Sequence, residues 1–226
     1  MPTKTFLNLS EEKKQAFIEA CYEEFALNDY ESASLNNIVK KLDIAKGSIY
    51  QYFKNKRELY FYLVEYASES RLSQVEDLLY DPKKDFFEIL IENFIQKIKY
   101  ENQHPLISGF LYNITQEVNC PELGNMLIKT KQQIMAMVIK IIKIHQKNGK
   151  LRNDIDIHAL AYMVIQVQLG IYDYIAIQHN IDFRDKIVKR EPLYDIPEKE
   201  ILKILKNFAE ILKTGLIKSL HHDRSK

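Results

Sequence analysis

Apolar residues recur along most of the chain at spacings of three and four, the period of one face of an α-helix. Phe17, Cys21 and Phe25 form one such stripe near the beginning. A second stripe near the end consists of Ile201, Ile204, Leu205, Phe208, Leu212 and Leu216. No alternating apolar and polar pattern indicates strands, and the helix breakers Gly and Pro number six each. The pattern therefore predicts an all-α protein.

Capping residues and prolines divide the chain into about nine predicted helices. Ser10, Ser34 and Asn55 are the predicted N-caps of the first, second and fourth helices. The helices are expected at about 10–26, 34–42, 46–52, 55–79, 83–102, 105–116, 121–147, 155–178 and 198–220. The fold class is thus three short helices that form a helix-turn-helix domain, followed by a C-terminal helical bundle. We place the domains at residues 1–66 and 67–226.

Positive charge is concentrated in one short segment. Residues 1–39 hold three lysines against seven carboxylates, whereas residues 40–57 hold six basic residues against Asp43 alone. The formal charge of the whole chain is only +1. A local basic patch on a nearly neutral protein can bind a polyanion in one place.

The segment "KGSIYQYF", residues 46–53, indicates which structural motif carries these basic residues. Two helices joined by a short turn, with small and basic residues at the start of the second, are typical of a helix-turn-helix. Small side chains let the second helix enter the major groove, while basic and hydroxyl groups reach phosphates and base edges. From composition alone, a solvated basic helix start remains the alternative. The candidate DNA-binding residues are Ser34, Lys46, Gly47, Ser48, Tyr50, Gln51, Tyr52, Lys54 and Lys56.

The longer stretch "YESASLNNIVKKLDIAKGSIYQYFKNKRELY" resembles the N-terminal domain of the tetracycline-repressor (TetR) family of bacterial transcription regulators. The resemblance covers about residues 10–66. It implies a homodimer in which each protomer places one recognition helix in the major groove of a palindromic operator. It also implies a C-terminal domain that binds a small molecule and dimerises through its last two long helices, here about 155–178 and 198–220.

Two positions depart from the family pattern. Asp43 stands in the turn where the family usually has Gly, and Asp tolerates the left-handed conformation better than most residues. Ala45 stands where the family often has Ser or Thr, so the oxygen that would cap the recognition helix is missing.

The second half carries no catalytic signature: GxSxG, HExxH and a glycine-rich phosphate loop are all missing from the sequence. We therefore expect no enzyme, no cofactor and no metal site. Aromatic and Met residues are plentiful there, and they fit either a bundle core or an apolar pocket. Phe110, Met137 and Tyr162 are the candidate ligand-binding residues, for an effector that is apolar or aromatic.

The sequence also suggests where the protein acts. We expect no signal peptide, and segment 155–177 contains polar residues that leave it short of a membrane span. A cytoplasmic protein without a membrane partner is therefore expected. The leading hypothesis is a ligand-responsive transcriptional repressor whose partners are operator DNA, an effector and a second copy of the chain. The alternative is a DNA-binding adaptor of the same fold whose C-terminal domain binds a protein partner and no small molecule.

Overall fold

The computed structural model describes residues 1–73, 75–81, 83–116 and 120–216, and within these ranges it contains twelve α-helices and no strand. The helices are α1 (Lys4–Leu7), α2 (Glu11–Leu27), α3 (Leu35–Lys41), α4 (Lys46–Tyr52), α5 (Lys56–Ser73), α6 (Glu76–Leu79), α7 (Phe86–Gln103), α8 (Pro105–Gln116), α9 (Gly124–Lys147), α10 (Ile157–Gln178), α11 (Phe183–Lys189) and α12 (Glu198–Leu216). The predicted all-α class is confirmed.

Two of these helices, α1 and α11, were not predicted from the sequence, and they span only four and seven residues. The residues of α6 were expected at the end of the fourth predicted helix, but they form a separate helix of four residues. The predicted fourth helix also ends earlier than expected, because α5 stops at Ser73 and α6 begins at Glu76. The predicted end of the last helix, after residue 216, lies outside the described residues.

The chain divides into two compact units. The first contains residues 1–73, 100–128 and 182–193, and therefore helices α1 to α5, α8 and α11. The second contains residues 74–99, 129–181 and 194–226, and therefore α6, α10, α12 and most of α7 and α9. The functional boundary expected at residue 66 stays a prediction.

Aromatic side chains form much of the core of the first unit. Phe6 of α1 is fully buried, and its ring centroid lies 5.5 Å from that of Phe17 and 5.0 Å from that of Phe53. Phe110 of α8 is also fully buried, and its ring lies 5.0 Å from Tyr60 of α5 and 5.3 Å from Tyr22 of α2. Edge and tilted ring pairs of this kind stabilise a core beyond the area that they bury.

Two polar contacts join helices inside the same unit. The buried Tyr22 hydroxyl donates to the carbonyl of Leu63 at 2.9 Å, which ties α2 to α5. The Asn113 side-chain amide of α8 donates to the carbonyls of Phe25 and Ala26, both at 2.9 Å. These carbonyls belong to the last turn of α2, where backbone acceptors lack helical partners. Asn113 therefore caps α2 from a neighbouring helix.

The second unit has an aliphatic and aromatic core of its own. Phe86, Phe87 and Ile89 of α7 are buried in one cluster with residues of α9 and α10, among them Ile142 and Val164. Phe94 of α7 also stacks on Tyr172 of α10, with the ring centroids 4.4 Å apart. The long helices of this unit are therefore held mainly by apolar packing.

Helix α10 differs from the sequence expectation in one respect. Among the described residues it is the one helix long and apolar enough to cross a membrane, with a mean hydropathy of 1.4 over its best window. The expectation that this segment is too polar was wrong by this criterion, because the few polar residues of α10 are outweighed by Ile, Val, Leu and Ala residues and Asp173 is its one carboxylate. Length and composition alone are weak support for a membrane span. Only 28% of that window is buried, so most of the helix surface is open.

The Asn113 cap can be tested by replacing one side chain. Asn113→Ala leaves two carbonyls of α2 without their donor, and we expect the free energy of unfolding to fall by about 1–3 kcal/mol. Asn113→Asp places a carboxylate against the same carbonyls and should lower it further. Urea unfolding measures both. Asn153→Ala, at an exposed position, is the matched control and should change stability by less than about 0.5 kcal/mol. Equal stability of the position 113 and 153 variants would contradict the cap.

Candidate nucleic-acid interface

The turn between α3 and α4 has a defined geometry. The Ile44 amide donates to the carbonyl of Val39 at 3.1 Å, and the Asp43 amide donates to that of Lys40 at 3.3 Å. This pair of bonds is the Schellman motif, which requires a left-handed residue just after the helix. Asp43 is that residue, with φ of 51°. The expectation that Asp43 adopts the left-handed conformation in place of Gly is confirmed.

The start of α3 is held by a carboxylate of α2. Glu24 accepts a hydrogen bond from the Ser34 amide at 2.7 Å and from the Asn37 side-chain amide at 3.2 Å. Ser34 occupies the N-cap position, but its hydroxyl makes no capping hydrogen bond. The expectation that the Ser34 side chain caps the helix was therefore wrong, because Glu24 fixes this end of α3 through the Ser34 backbone amide.

Helix α4 buries one face and exposes the other. Ile49 and the following Phe53 are only 2% and 1% exposed, and they anchor the helix in the core of the first unit. Lys46, Gly47 and Gln51 are exposed, together with Tyr50, Lys54 and Ala45, while Ser48 is half-buried. Ala45 occupies the N-cap position without a capping side chain, as the sequence indicated.

Gly47 lies in open space. A methyl group built at its Cα meets no atom within 4 Å, so the fold itself leaves room for a larger residue. In a helix interior Gly is about 1 kcal/mol less favourable than Ala. Folding therefore does not require glycine here.

The end of α4 is braced by the N-terminal residues. The Thr3 amide donates to the carbonyl of Tyr52 at 3.0 Å, and the Thr3 hydroxyl donates to that of Gln51. The half-buried Tyr52 ring packs against Phe6 and Phe17, with centroid distances of 5.8 and 5.3 Å. Sequence reasoning missed this brace, since α1 is a single turn.

The two lysines after α4 have different surroundings. Lys54 is exposed. The Lys56 ammonium donates to the carbonyls of Ala33 at 2.6 Å and Glu31 at 3.2 Å, and it lies 4.9 Å from the centre of the Tyr30 ring. Lys56 therefore holds the loop that precedes α3. Whether either lysine contacts DNA stays a prediction.

The three candidate ligand-binding residues do not share one compact unit. Phe110 belongs to the first unit and is enclosed by the rings of Tyr22, Phe25 and Tyr60. Met137 is half-buried against the core of the second unit. Tyr162 is in the second unit too, with 58% of its surface exposed. Their ligand-binding role stays a prediction.

The first unit contains an open cleft of about 530 Å³. Its walls come from the end of α2 and the following loop, from α8, and from α11. Its lining includes the rings of Tyr30, Tyr112 and Phe183, the exposed Asp29, and Arg184. A hydrogen bond from the Ser32 hydroxyl, together with one from the Ser32 amide, lowers the pKa of Asp29. A cleft of this volume is within the range of small-molecule sites.

This geometry agrees with comparisons to known proteins. Residues 17–63 match the family profile described as bacterial regulatory proteins of the tetR family. An uncharacterized HTH-type transcriptional regulator of Bacillus subtilis, YhgD, is 21% identical over 74% of this chain and 86% of its own length. The HTH-type transcriptional regulator SAB2452 of Staphylococcus aureus is 26% identical over 93 residues. These residues cover 41% of this chain and 50% of that relative.

Solved structures extend the similarity over the whole length. A TetR family transcriptional regulator from Chloroflexus aurantiacus has a TM-score of 0.76 and 24% identity, with 97% of this chain and 100% of that one covered. SmeT in complex with triclosan has a TM-score of 0.66 and 15% identity, with 93% and 94% covered. The chain has the fold of TetR-family transcriptional regulators. The match of residues 17–63 to the tetR family profile confirms the resemblance found in the sequence.

Proposed function

We propose that the protein is a ligand-responsive transcriptional repressor of the cytoplasm, which binds a palindromic operator as a homodimer and is released by a small, largely apolar effector. The observation that carries the proposal is the exposed face of α4. Its side chains are basic, small or hydrogen-bonding, and residues 44–57 contain no carboxylate. This face lies within the segment that matches the family profile.

The exposed groups suggest a division of roles on DNA. Lys46, Tyr50 and Gln51 point away from the core and are suited to base edges and phosphates. Gly47 and Ser48 present little bulk, so the helix can approach the groove closely. Ser34 and Lys54 are placed for phosphates on either side. Tyr52 and Lys56 act by positioning α4 and the loop before α3.

A homodimer is supported by the surface of α10. Ile177 of α10 and Ile211 of α12 are 76% and 69% exposed. Exposed apolar residues also recur along α10 at helical spacing: Tyr162, Met163, Leu169 and Tyr174. A group of exposed apolar residues on one helix is a candidate interface. In the bound dimer, two recognition helices would lie about 34–36 Å apart, one turn of B-DNA.

Effector binding is supported by buried polar atoms in the second unit. Asn93 and His145 are 3% and 1% exposed, and neither Asn93 Oδ1 nor His145 Nδ1 has a hydrogen-bond partner in the described part of the chain. Gln168 Nε2 is also buried without a partner there. Burial, followed by the nearby Lys150, lowers the pKa of His145 and so favours the neutral ring. Polar groups in an apolar interior usually have a partner, and a bound effector would supply one.

The basic face can be tested through the salt dependence of DNA binding. We expect the protein to bind a duplex from the region upstream of its own gene, with log affinity falling by about 0.9 per neutralised phosphate for each unit of log salt. In the double variant Lys46→Ala/Lys54→Ala the slope should be shallower by about one unit per lost contact. Fluorescence anisotropy over a salt series measures this.

The matched control carries the same charge change on α9. Lys143→Ala/Lys147→Ala, at two exposed positions, should keep the wild-type slope. If the wild type binds scrambled duplex as tightly as the upstream duplex at every salt concentration, the proposed function fails.

A substitution at Gly47 tests DNA binding without destabilising the fold. Gly47→Ala adds a methyl group in open space, so stability should stay the same or rise by up to about 1 kcal/mol. The same methyl group faces the groove in the proposed complex, and we expect operator affinity to fall at least five-fold. Thermal unfolding and anisotropy on one preparation give both values. Unchanged affinity would show that this part of α4 does not approach DNA closely.

The proposed homodimer can be tested by measuring the molar mass of interface variants in solution. Leu169→Glu and Ile177→Glu each place a charge in an apolar interface, and we expect light scattering after gel filtration to give the 26.7 kDa of one chain. Val188→Glu, at a 60% exposed position of α11, should leave the wild-type dimer intact. A monomeric wild type would contradict the homodimer and would favour the alternative, in which a different protein covers this face.

A further inference from the structure

Arg190, which lies 133 residues beyond the basic segment 40–57, contacts the helix-turn-helix domain. It follows α11 and has a φ of 55°, in the left-handed region. The Glu191 amide donates to the carbonyl of Lys186 at 2.9 Å and the Arg190 amide to that of Ile187 at 3.1 Å. α11 therefore also ends in a Schellman motif, and a residue without a special role at this position would normally be Gly.

The Arg190 guanidinium bridges two carboxylates of α2. Its Nη1 lies 2.7 Å from Glu19 Oε1, and its Nη2 bonds to Glu23 Oε2. The Lys41 ammonium bonds to the same Oε2 atom. One carboxylate oxygen therefore joins the end of α11 to the last residue of α3. Burial raises the pKa of Glu23, but hydrogen bonds from Lys41 and Arg190 outweigh it and hold that pKa below its usual value.

Lys41 connects this bridge to the recognition helix. Lys41 is the last residue of α3, and only residues 42–45 separate it from the recognition helix α4. The start of α3 is held separately by Glu24. The contact from Arg190 therefore bears on the end of α3 that leads into the turn.

Helix α11 is held by the packing of Ile187, which gives Arg190 a defined position beside α2. Ile187 is buried, and a methyl group added to Gly109 of α8 would lie 2.5 Å from its Cδ1 atom and 3.2 Å from Ala26. This close packing leaves α11 little room to shift along α2.

We propose that Arg190 is a positioning residue for DNA binding, which acts through Glu23 and Lys41 to hold the end of α3 and so the recognition helix. The inference rests on the proposed function, in which α4 contacts DNA. Without Arg190, Glu19 loses this ion pair and Glu23 keeps the one with Lys41, so the net charge of the four-residue cluster changes from neutral to negative beside the proposed DNA-binding surface. Both the loss of the bridge and the added negative charge weaken binding to phosphate.

The test variant is Arg190→Gly. Glycine favours the left-handed conformation, so the Schellman motif remains and the fold is not strained. We expect operator affinity at low salt to fall about two- to five-fold, in line with exposed ion pairs, and the difference from wild type to shrink as salt rises. Lys189→Ala removes one positive charge from the neighbouring residue, whose partner Asp185 lies within α11, and should bind as the wild type does.

Two further measurements separate positioning from a general loss of stability. Adding Glu23→Gln to Arg190→Gly removes the uncompensated carboxylate but also the ion pair with Lys41, so the affinity should stay below that of the wild type. A full return to wild-type affinity would show that charge alone, and not positioning, lowers the binding of Arg190→Gly. Hydrogen exchange without DNA should be faster in residues 35–44 of Arg190→Gly than in those of Lys189→Ala. Equal affinity and equal exchange in these two variants would overturn the inference. A wild type without operator preference would contradict the proposed function, whereas the exchange result would still decide the contact between Arg190 and α3.

Discussion

Burial of Ile49 and Phe53 is the interaction on which the candidate interface depends. A helix of seven residues is not stable by itself in water, so tertiary packing must hold α4 in place. Burying each of these two side chains stabilises by about 1.5–3 kcal/mol. Once they face inward, the helical period turns Gly47 and Gln51 to the opposite, solvent-facing side, and Lys46 and Tyr50 are exposed at the edges of the buried face. The same packing therefore fixes both the position of the helix and the chemistry that it presents.

Hydrogen bonds to the backbone hold the ends of α3 and α4 in addition to the apolar packing. The carbonyls at the end of α4 accept from Thr3, and the carbonyls before α3 accept from the Lys56 ammonium. The turn between the helices is closed by the Schellman motif at Asp43. The bonds from Thr3 and those of the Schellman motif satisfy C-terminal carbonyls that a short helix leaves without partners, while Lys56 satisfies carbonyls of the loop before α3. The helix-turn-helix is thus held at its ends by polar bonds and in its middle by apolar side chains.

The sequence predicted the features that arise within about twenty residues. Helical spacing located the long helices, and the turn residues located α3 and α4 although each has only seven residues. Contacts between distant segments were beyond this reasoning. Arg190 pairs with Glu19 and Glu23 across more than 160 residues, and nothing in the local pattern around it indicates a partner. Phe110 is a candidate ligand-binding residue from the sequence because it is aromatic. Its burial among three rings depends on how α2, α5 and α8 pack together, which the sequence does not indicate.

The carboxylates near the N-terminus gain a structural explanation from these contacts. Glu23 and Glu24 are adjacent on α2 and serve opposite ends of α3, Glu24 at its start and Glu23 at its end. The contact at the end of α3 is also shared with α11, through Arg190. Arg190 therefore contributes to the charge balance at the turn, while Glu24 anchors the start of α3 separately. Helix α11 also supplies Phe183 and Ile187 to the lining of the cleft in the first unit, so one short helix contributes both to that cleft and to the contact at the end of α3.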